Sequence, residues 1–454
     1  MIEKLKKMIV YEDTKIKDVL LKIDQNGKNG VFVISKKNNL VGVITDSDIR
    51  RRLLKNEINL NKKAKYIYQK NYLKIPYTKK NHKKKILLES NKILIPIVKN
   101  NKLVDFVHTS ELLQKNNNKD KRILIIGGLG YIGSVLTIDL LKKNYKVNIL
   151  DKNFYGCHFT KKTLKDKRLK IFYGDCSNKK KLKQSIKNCT DVIHLGEIVG
   201  DPAVNINENF SIKNNYENTV FVVSECIKNK INKFIFASSC SVYGDSKLKC
   251  SETSKLNPVS LYAKCKIECE KSILSFKTDE FCPVILRLST VYGDSPRKRF
   301  DLVVNRFVLM AIKKIKIKLY GSESWRPFIS TRDISRLLIK ILKTDKNLVN
   351  RQIFNVGEDK ENYRIMDIIH TIKKVTKINY EKVKIDQDKR NYKVSFLKLK
   401  RTLNFKFKNN LKKTIVELLK KYKKMNINEK NINYYNDKKI HKVLKKNIKN
   451  LSFI

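Results

Sequence analysis

The chain has 454 residues, with 100 Lys and Arg against 43 Asp and Glu, a formal net charge of +57. Its hydrophobic fraction of 41% is enough to fill packed cores, which excludes global disorder, and its length calls for two or three domains. No apolar run is long enough to span a bilayer, and Met1 to Val10 mixes Glu3 with Lys4, Lys6 and Lys7 where a secretory signal would be apolar, so a cytoplasmic protein without a membrane span is expected.

The excess charge is nearly all Lys and is scattered over helices, loops and tail instead of forming one stripe. It comes with abundant Asn, Ile and Tyr, residues that share A/T-rich codons, and reads as composition, not as a specific nucleic-acid surface. It would still attract an anionic substrate from a distance. Nine cysteines lie between Cys157 and Cys282. Their odd number and uneven spacing fit neither a disulfide framework nor a zinc site; reduced thiols and no metal are expected.

In chain order, an internal repeat comes first. Val31–Ile49 reads VFVISKKNNLVGVITDSDI and Leu94–Leu112 reads LIPIVKNNKLVDFVHTSEL. Each holds two apolar strands around a polar turn, then a helix start, and each follows a helix-like stretch, Ile16–Ile23 or Lys83–Leu88. The unit resembles a pair of CBS modules, an α+β arrangement over residues 1–118 that in its family binds adenine nucleotides. The resemblance implies a nucleotide site at Thr45 and Asp48, where a carboxylate accepts two hydrogen bonds from a ribose diol. The second repeat has His108 and Glu111 at the aligned places, so packing or dimerisation alone is an equal reading of the pair.

The polar stretch Asn116–Asp120 reads as a linker. Next comes RILII, Arg122–Ile126, an apolar run suited to a buried parallel strand. GGLGYIG follows at Gly127–Gly133, then a helical pattern, then a second strand ending at Leu150. Gly127, Gly130 and Gly133, with Tyr131 and Ile132 among them, form a turn that lets backbone and helix N-terminus approach a pyrophosphate. Asp151 stands 18 residues after Gly133, where a carboxylate takes the adenosine ribose and favours NAD over NADP, although Lys152 beside it weakens that preference. Further strands follow in α/β rhythm, one ending at Gly174-Asp175; Asp175 could meet the adenine amino group or cap a helix.

After the strand KFIFAS, Ser239 opens SSCSVYG. A helix then carries Tyr262 and Lys266, four apart and so on one face. A neighbouring ammonium makes a tyrosine a better base, and a serine can hold the same substrate oxygen, a set suited to taking an alcohol proton during hydride transfer.

From about Lys121 to Tyr422 the chain resembles the extended short-chain dehydrogenases/reductases, in their nucleotide-sugar epimerase and dehydratase branch. GGLGYIG, GDC, HLGEIVGDP, NNYENT, FASSCSVYG, SLYAK, LRLSTVYG, WRPFISTRD and FNVG occur in family order. The resemblance implies a doubly wound Rossmann-type sheet with a smaller C-terminal substrate part over residues 119–425. It implies Tyr262 as base, with Lys266 and Ser239 beside it, Leu195 and Gly196 along the cofactor, and Asn215, grouped with the cofactor residues, as the buried asparagine that braces the active-site region. Arg326 and Arg390 become contacts to the diphosphate of a nucleotide-sugar. Homo-oligomers are common in such families. Residues 426–454 form a Lys/Asn-rich tail expected to be loosely docked.

Dehydratases of this type carry acids after the serine or threonine; here Cys240 and Ser241 stand there. A 4-epimerase needs only the base, the hydroxyl and NAD, and is the reading with the fewest assumptions. Cys240 keeps a 4-keto-6-deoxysugar epimerase/reductase open, with the thiol as acid/base, against a small buried residue, and an NDP-sugar dehydratase stays an alternative beside it. A catalytically silent nucleotide sensor is the alternative of another class. Glu197 replaces the small residue of relatives and could touch the sugar, serve as a base or be tolerated. His158 and His194 read as structural.

Overall fold

The computed structural model describes residues 5–78, 86, 90, 93–108, 121–276, 278, 280–383 and 390–451. The chain divides into two compact units, Met1–Asn117 and Asn118–Ile454.

The first unit opens with β1 (Ile9–Tyr11), α1 (Ile16–Asn26), β2 (Gly30–Ile34), β3 (Leu40–Thr45) and α2 (Asp46–Leu54). α1 stops at Gly27, whose φ of 58° is the left-handed C-cap that glycine adopts without strain. β2 pairs parallel with β1 and antiparallel with β3. The same order returns in β4 (Ile75–Pro76), β5 (Leu94–Lys99) and β6 (Lys102–His108), parallel and then antiparallel. The repeated strand pairs are therefore real, and the Phe32 and Phe106 rings, 5.7 Å apart, join the two sheets. Of the expected Lys83–Leu88 helix only Ile86 is described; Glu111 and the Asn116–Asp120 stretch lie outside the described residues.

The second unit is built on seven parallel strands: β7 (Arg122–Ile126), β8 (Lys146–Asp151), β9 (Leu169–Tyr173), β10 (Asp191–His194), β11 (Lys233–Ser239), β12 (Cys282–Leu288) and β13 (Gln352–Val356). Their spatial order is 13-12-11-10-7-8-9. The winding direction reverses between β7 and β10, the switch point at whose carboxyl end a crevice opens. Alternate residues of β7 feed opposite cores. Ile123 and Ile125 pack with Leu136 and Leu140 of α3 (Tyr131–Lys142). Leu124 and Ile126 pack with Val222 and Val223 of α4 (Asn218–Lys228) and Cys269 and Ile273 of α5 (Leu261–Ser275). A separate core of Phe300, Val304, Phe328, Ile368 and Leu418 holds the smaller C-terminal part.

The tail differs from the expectation of loose docking. It forms α6 (Asn436–Leu451), and Ile440, 1% exposed, packs on Ile198, Ala203 and Val204. Apolar residues at helical spacing among the lysines give it one face to bury. Among the described residues no helix is long and apolar enough to cross a membrane.

Candidate active site

A cavity lies at the carboxyl ends of β7, β8, β10 and β11. Its floor is the glycine turn. Gly127 has φ 81°, and a Cβ there would meet Gly196 Cα at 2.6 Å; a Cβ on Gly133 would meet the Gly127 carbonyl at 2.3 Å. Glycine is thus required for the turn to lie against β10 and for α3 to lie against the turn. No side chain caps α3 at Gly130, which leaves the helix N-terminus to an anion. Tyr131, Ile132 and Leu195 also line the cavity.

Asp151 follows on the wall. Its carboxylate accepts from Leu129 N at 3.0 Å and Asn153 N at 2.7 Å, while burial pushes its pKa up against those bonds. Lys152 is not free to receive a 2′-phosphate, because it is held by Asp175 and Asn214. Asp175 pairs with Lys152 and accepts from Ser177 N at 3.0 Å, and its chain neighbours Gly174 and Cys176 line the cavity. The helix cap expected of it belongs to Asn178. Asn215 also stands behind the wall. Its amide accepts from Ile198 N and donates to Ile198 O, both at 2.8 Å, so it braces the loop after β10 and does not itself touch the cavity. The glycine cradle, the open helix end and a wall carboxylate fit a dinucleotide.

Ser239 ends β11, and α5 presents Tyr262 and Lys266 to the same cavity. Ser239 Oγ accepts from Ser241 N at 3.1 Å and Ser241 Oγ at 2.9 Å, which leaves its own proton to donate elsewhere. Burial pushes the Tyr262 phenol above its ordinary value; Lys266 and a hydrogen bond with Ser239 oppose this, while Glu197 and Asp201 add to it.

Cys240 takes the opposite direction. A short helical turn over Cys240–Tyr243 swings its thiol into the core with Val242, Tyr392 and Phe396, where it donates to the Arg287 carbonyl at 3.2 Å. It is fully buried, burial pushes its pKa up, and it does not line the cavity. An acid/base role for the thiol gives way to packing.

Of the two expected arginines, Arg390 lines the cavity and pairs with Asp201 at 3.2 Å. Arg326 is buried behind the wall, donating to the Trp325 carbonyl at 2.7 Å, with its guanidinium 5.5 Å from the ring of the wall residue Tyr392. Arg297 and Arg299 are wall residues that the sequence reading missed. Their only local signal is the basic run PRKR. Arg297 stacks on Tyr155 at 4.0 Å and donates to Asn436 Oδ1 at 2.7 Å, and its buried Nε has no hydrogen-bond partner among the described residues. Asn436 in turn donates to the Val199 carbonyl at 3.0 Å, so α6 contributes to the cavity wall. His194 is buried beside Thr219, 3.0 Å away; burial and then Lys266 push its pKa down to about 3, which keeps it neutral.

In the first unit, Thr45 and Asp48 form a capping box on α2. Asp48 Oδ2 accepts from Thr45 N at 2.9 Å and Thr45 Oγ1 at 2.6 Å, and Oδ1 accepts from Gln69 Nε2 at 2.6 Å. Oδ2 thus accepts two bonds within the chain and Oδ1 one, which leaves Oδ1 a lone pair for a ligand hydroxyl.

The profile of the NAD dependent epimerase/dehydratase family matches residues 123–357, and that of the CBS domain matches residues 4–55. Putative UDP-arabinose 4-epimerase 4 of Arabidopsis thaliana is 26% identical over 345 residues, 68% of this chain and 76% of that protein. The dTDP-D-glucose 4,6-dehydratase of Dictyostelium discoideum is 29% identical over 279 residues, 54% of this chain and 61% of that protein. The structure of UDP-glucuronic acid 4-epimerase from Bacillus cereus, in complex with UDP-glucuronic acid and NAD, superposes with a TM-score of 0.59 at 25% identity, over 66% of this chain and 99% of that one. From its glycine cradle to its sheet order, the chain belongs to the NAD dependent epimerase/dehydratase family and uses NAD as its cofactor.

Proposed function

We propose that the protein is a nucleotide-sugar 4-epimerase, acting on an NDP-hexose by transient oxidation at C4. The observation that carries this reading is the convergence of Ser239, Tyr262 and Lys266 on one cavity without a free acid/base pair beside them. Cys240 is buried away, Ser241 is neutral and bonded to Ser239, and Glu197 is paired with Lys266. A 4,6-dehydratase needs an acid and a base for elimination, and a thiol-dependent epimerase/reductase needs an accessible thiol; neither is supported here. The named relatives that act on UDP-sugars make a UDP-hexose or UDP-pentose the first substrate to try.

In this reading Tyr262 takes the proton of the C4 hydroxyl, and Ser239 donates to the same oxygen. Bound NAD supplies the hydride acceptor and, in the return step, the donor. Lys266 stabilises the phenolate, and Tyr262 returns the proton once the sugar has turned its other face. Arg390, released from Asp201, and Arg297 are the cationic groups on the wall that suit a diphosphate.

The test is an NMR screen of UDP-, dTDP-, GDP- and CDP-sugars with purified protein and no added cofactor. Interconversion of C4 epimers is expected. Tyr262→Phe should lower turnover by about 10²–10⁴-fold with NAD content unchanged. Stoichiometric consumption of NADPH, or full turnover in that variant, would sink the proposal.

Adenine-nucleotide control through the first unit is a separate expectation. Titration calorimetry of the full chain with ATP and AMP checks it; saturable heat of binding is expected, and its absence would end the expectation.

A further inference from the structure

Glu197 is the residue of the site for which the proposed chemistry has no use. It sits in the loop after β10, lines the cavity between Gly196 and Ile198, and is buried with its carboxylate against the Lys266 ammonium. The side chains of both partners of this ion pair are 2–3% exposed. Lys266 also donates to the Ala237 carbonyl, and it lies 4.6 Å from the Phe236 ring and 5.6 Å from the Tyr262 ring. The ammonium is thus held between a carboxylate, a strand carbonyl and two aromatic faces. Thr219 Oγ1 reaches the other Glu197 oxygen at 3.5 Å.

We propose that Glu197 is a positioning residue: it fixes the Lys266 ammonium and offsets the charge that Lys266 presents to the Tyr262 phenol. The inference rests on the reading of Tyr262 as the base. Two unit charges in contact look nearly neutral to a third group a few ångströms away, and the low dielectric of a buried site makes that cancellation count. Lysine alone would favour phenolate strongly; lysine with Glu197 favours it less. Burial opposes the charge on Lys266, but Glu197, and then Tyr262, outweigh it and hold the proton on the amine.

The other groups facing this trio leave the pair in control. From α5, Cys265 and Cys269 are thiols pushed up by burial. From β10, His194 is neutral. From α4 comes only the Thr219 hydroxyl, and from β11 the Ser239 hydroxyl. From the short helix that opens beyond Glu197, Asp201 is itself paired with Arg390 at 3.2 Å. Lys266 and Glu197 are therefore the charges whose balance Tyr262 senses most directly.

The experiment is an ultraviolet phenolate titration of the NAD-loaded full chain. The Tyr262 signal is isolated by subtracting the matching Tyr262→Phe variant in each background. Glu197→Gln keeps size and hydrogen bonding but removes the charge. It should lower the Tyr262 midpoint by about one pH unit, roughly tenfold more phenolate at a fixed pH below both midpoints. The double variant Glu197→Gln/Lys266→Met, neutral again, should return the midpoint towards the parent value. If Glu197→Gln fails to retain NAD, Glu197→Asp carries the test, with a smaller shift in the same direction. An unchanged or raised midpoint in the variant tested overturns the proposal. The titration needs no sugar, so failure to epimerise any nucleotide-sugar would end the proposed function and leave this result to stand or fall alone. With a substrate in hand, the acidic limb of the pH–rate profile should move with the midpoint.

Discussion

A methyl group is enough to test the cofactor cradle. A Cβ on Gly133 would sit 2.3 Å from the Gly127 carbonyl and 2.7 Å from Gly128 Cα, both backbone atoms that cannot step aside. Gly133→Ala should therefore yield protein with little or no bound NAD, read by absorbance after denaturation; normal NAD content would show that α3 can shift. Cys240→Ala should leave turnover unchanged, because its thiol bonds the Arg287 carbonyl outside the cavity; lost activity with the fold intact would bring the thiol back into the chemistry. At this scale the sequence was informative where chemistry follows local spacing. Tyr262 and Lys266 share a face because they are four apart on a helix, and the glycines announce themselves between strand and helix. Cys240 was ambiguous because a strand-end turn decides which way one side chain points. Asp175 and Asn215 belong to recognisable motifs, but their partners, Lys152 and Ile198, are set by packing. Glu197 stood out as an oddity, and only the approach of α5 to the loop after β10 gives it a partner.

The elements of the first unit follow from short apolar runs. β2, GVFVI, is buried throughout, and α1 has Ile16, Val19 and Ile23 on one buried face. The parallel partners β1 and β4 are only three and two residues long, too short to leave a periodic signature, and the sequence reading passed over them. α2 starts at a complete capping box, so Thr45→Ala should cost this unit about 0.5–2 kcal/mol, measured by chemical denaturation. In the second unit the α/β rhythm was legible because buried parallel strands are continuous apolar runs. The helix at the chain's C-terminal side was not. Its lysines outnumber its apolar residues, and only its docking site on Ile198, Ala203 and Val204 selects Ile440 for burial.

Across the whole molecule, the cavity wall is gathered from remote parts of the second unit. Asn436 reaches back 237 residues to Val199 and 139 to Arg297, and Arg297 reaches the Asn433 carbonyl over 136. Asn436→Ala removes two such bonds, about 0.5–1.5 kcal/mol each, and should speed NAD release several-fold in a chase with excess free NAD. The scattered positive charge that dominates the composition has no comparable organisation, whereas Arg297, Arg299 and Arg390 stand together on the cavity wall.

The docking of α6 also orders events in time. Contacts that bridge such separations close large loops, whose entropy must be met before they give anything back. The parallel sheet and the glycine turn can form from nearer segments first. After dilution from denaturant, helical signal should therefore return before the capacity to bind NAD. The interval between the two should lengthen in Asn436→Ala, because the element that completes the wall has lost its latch.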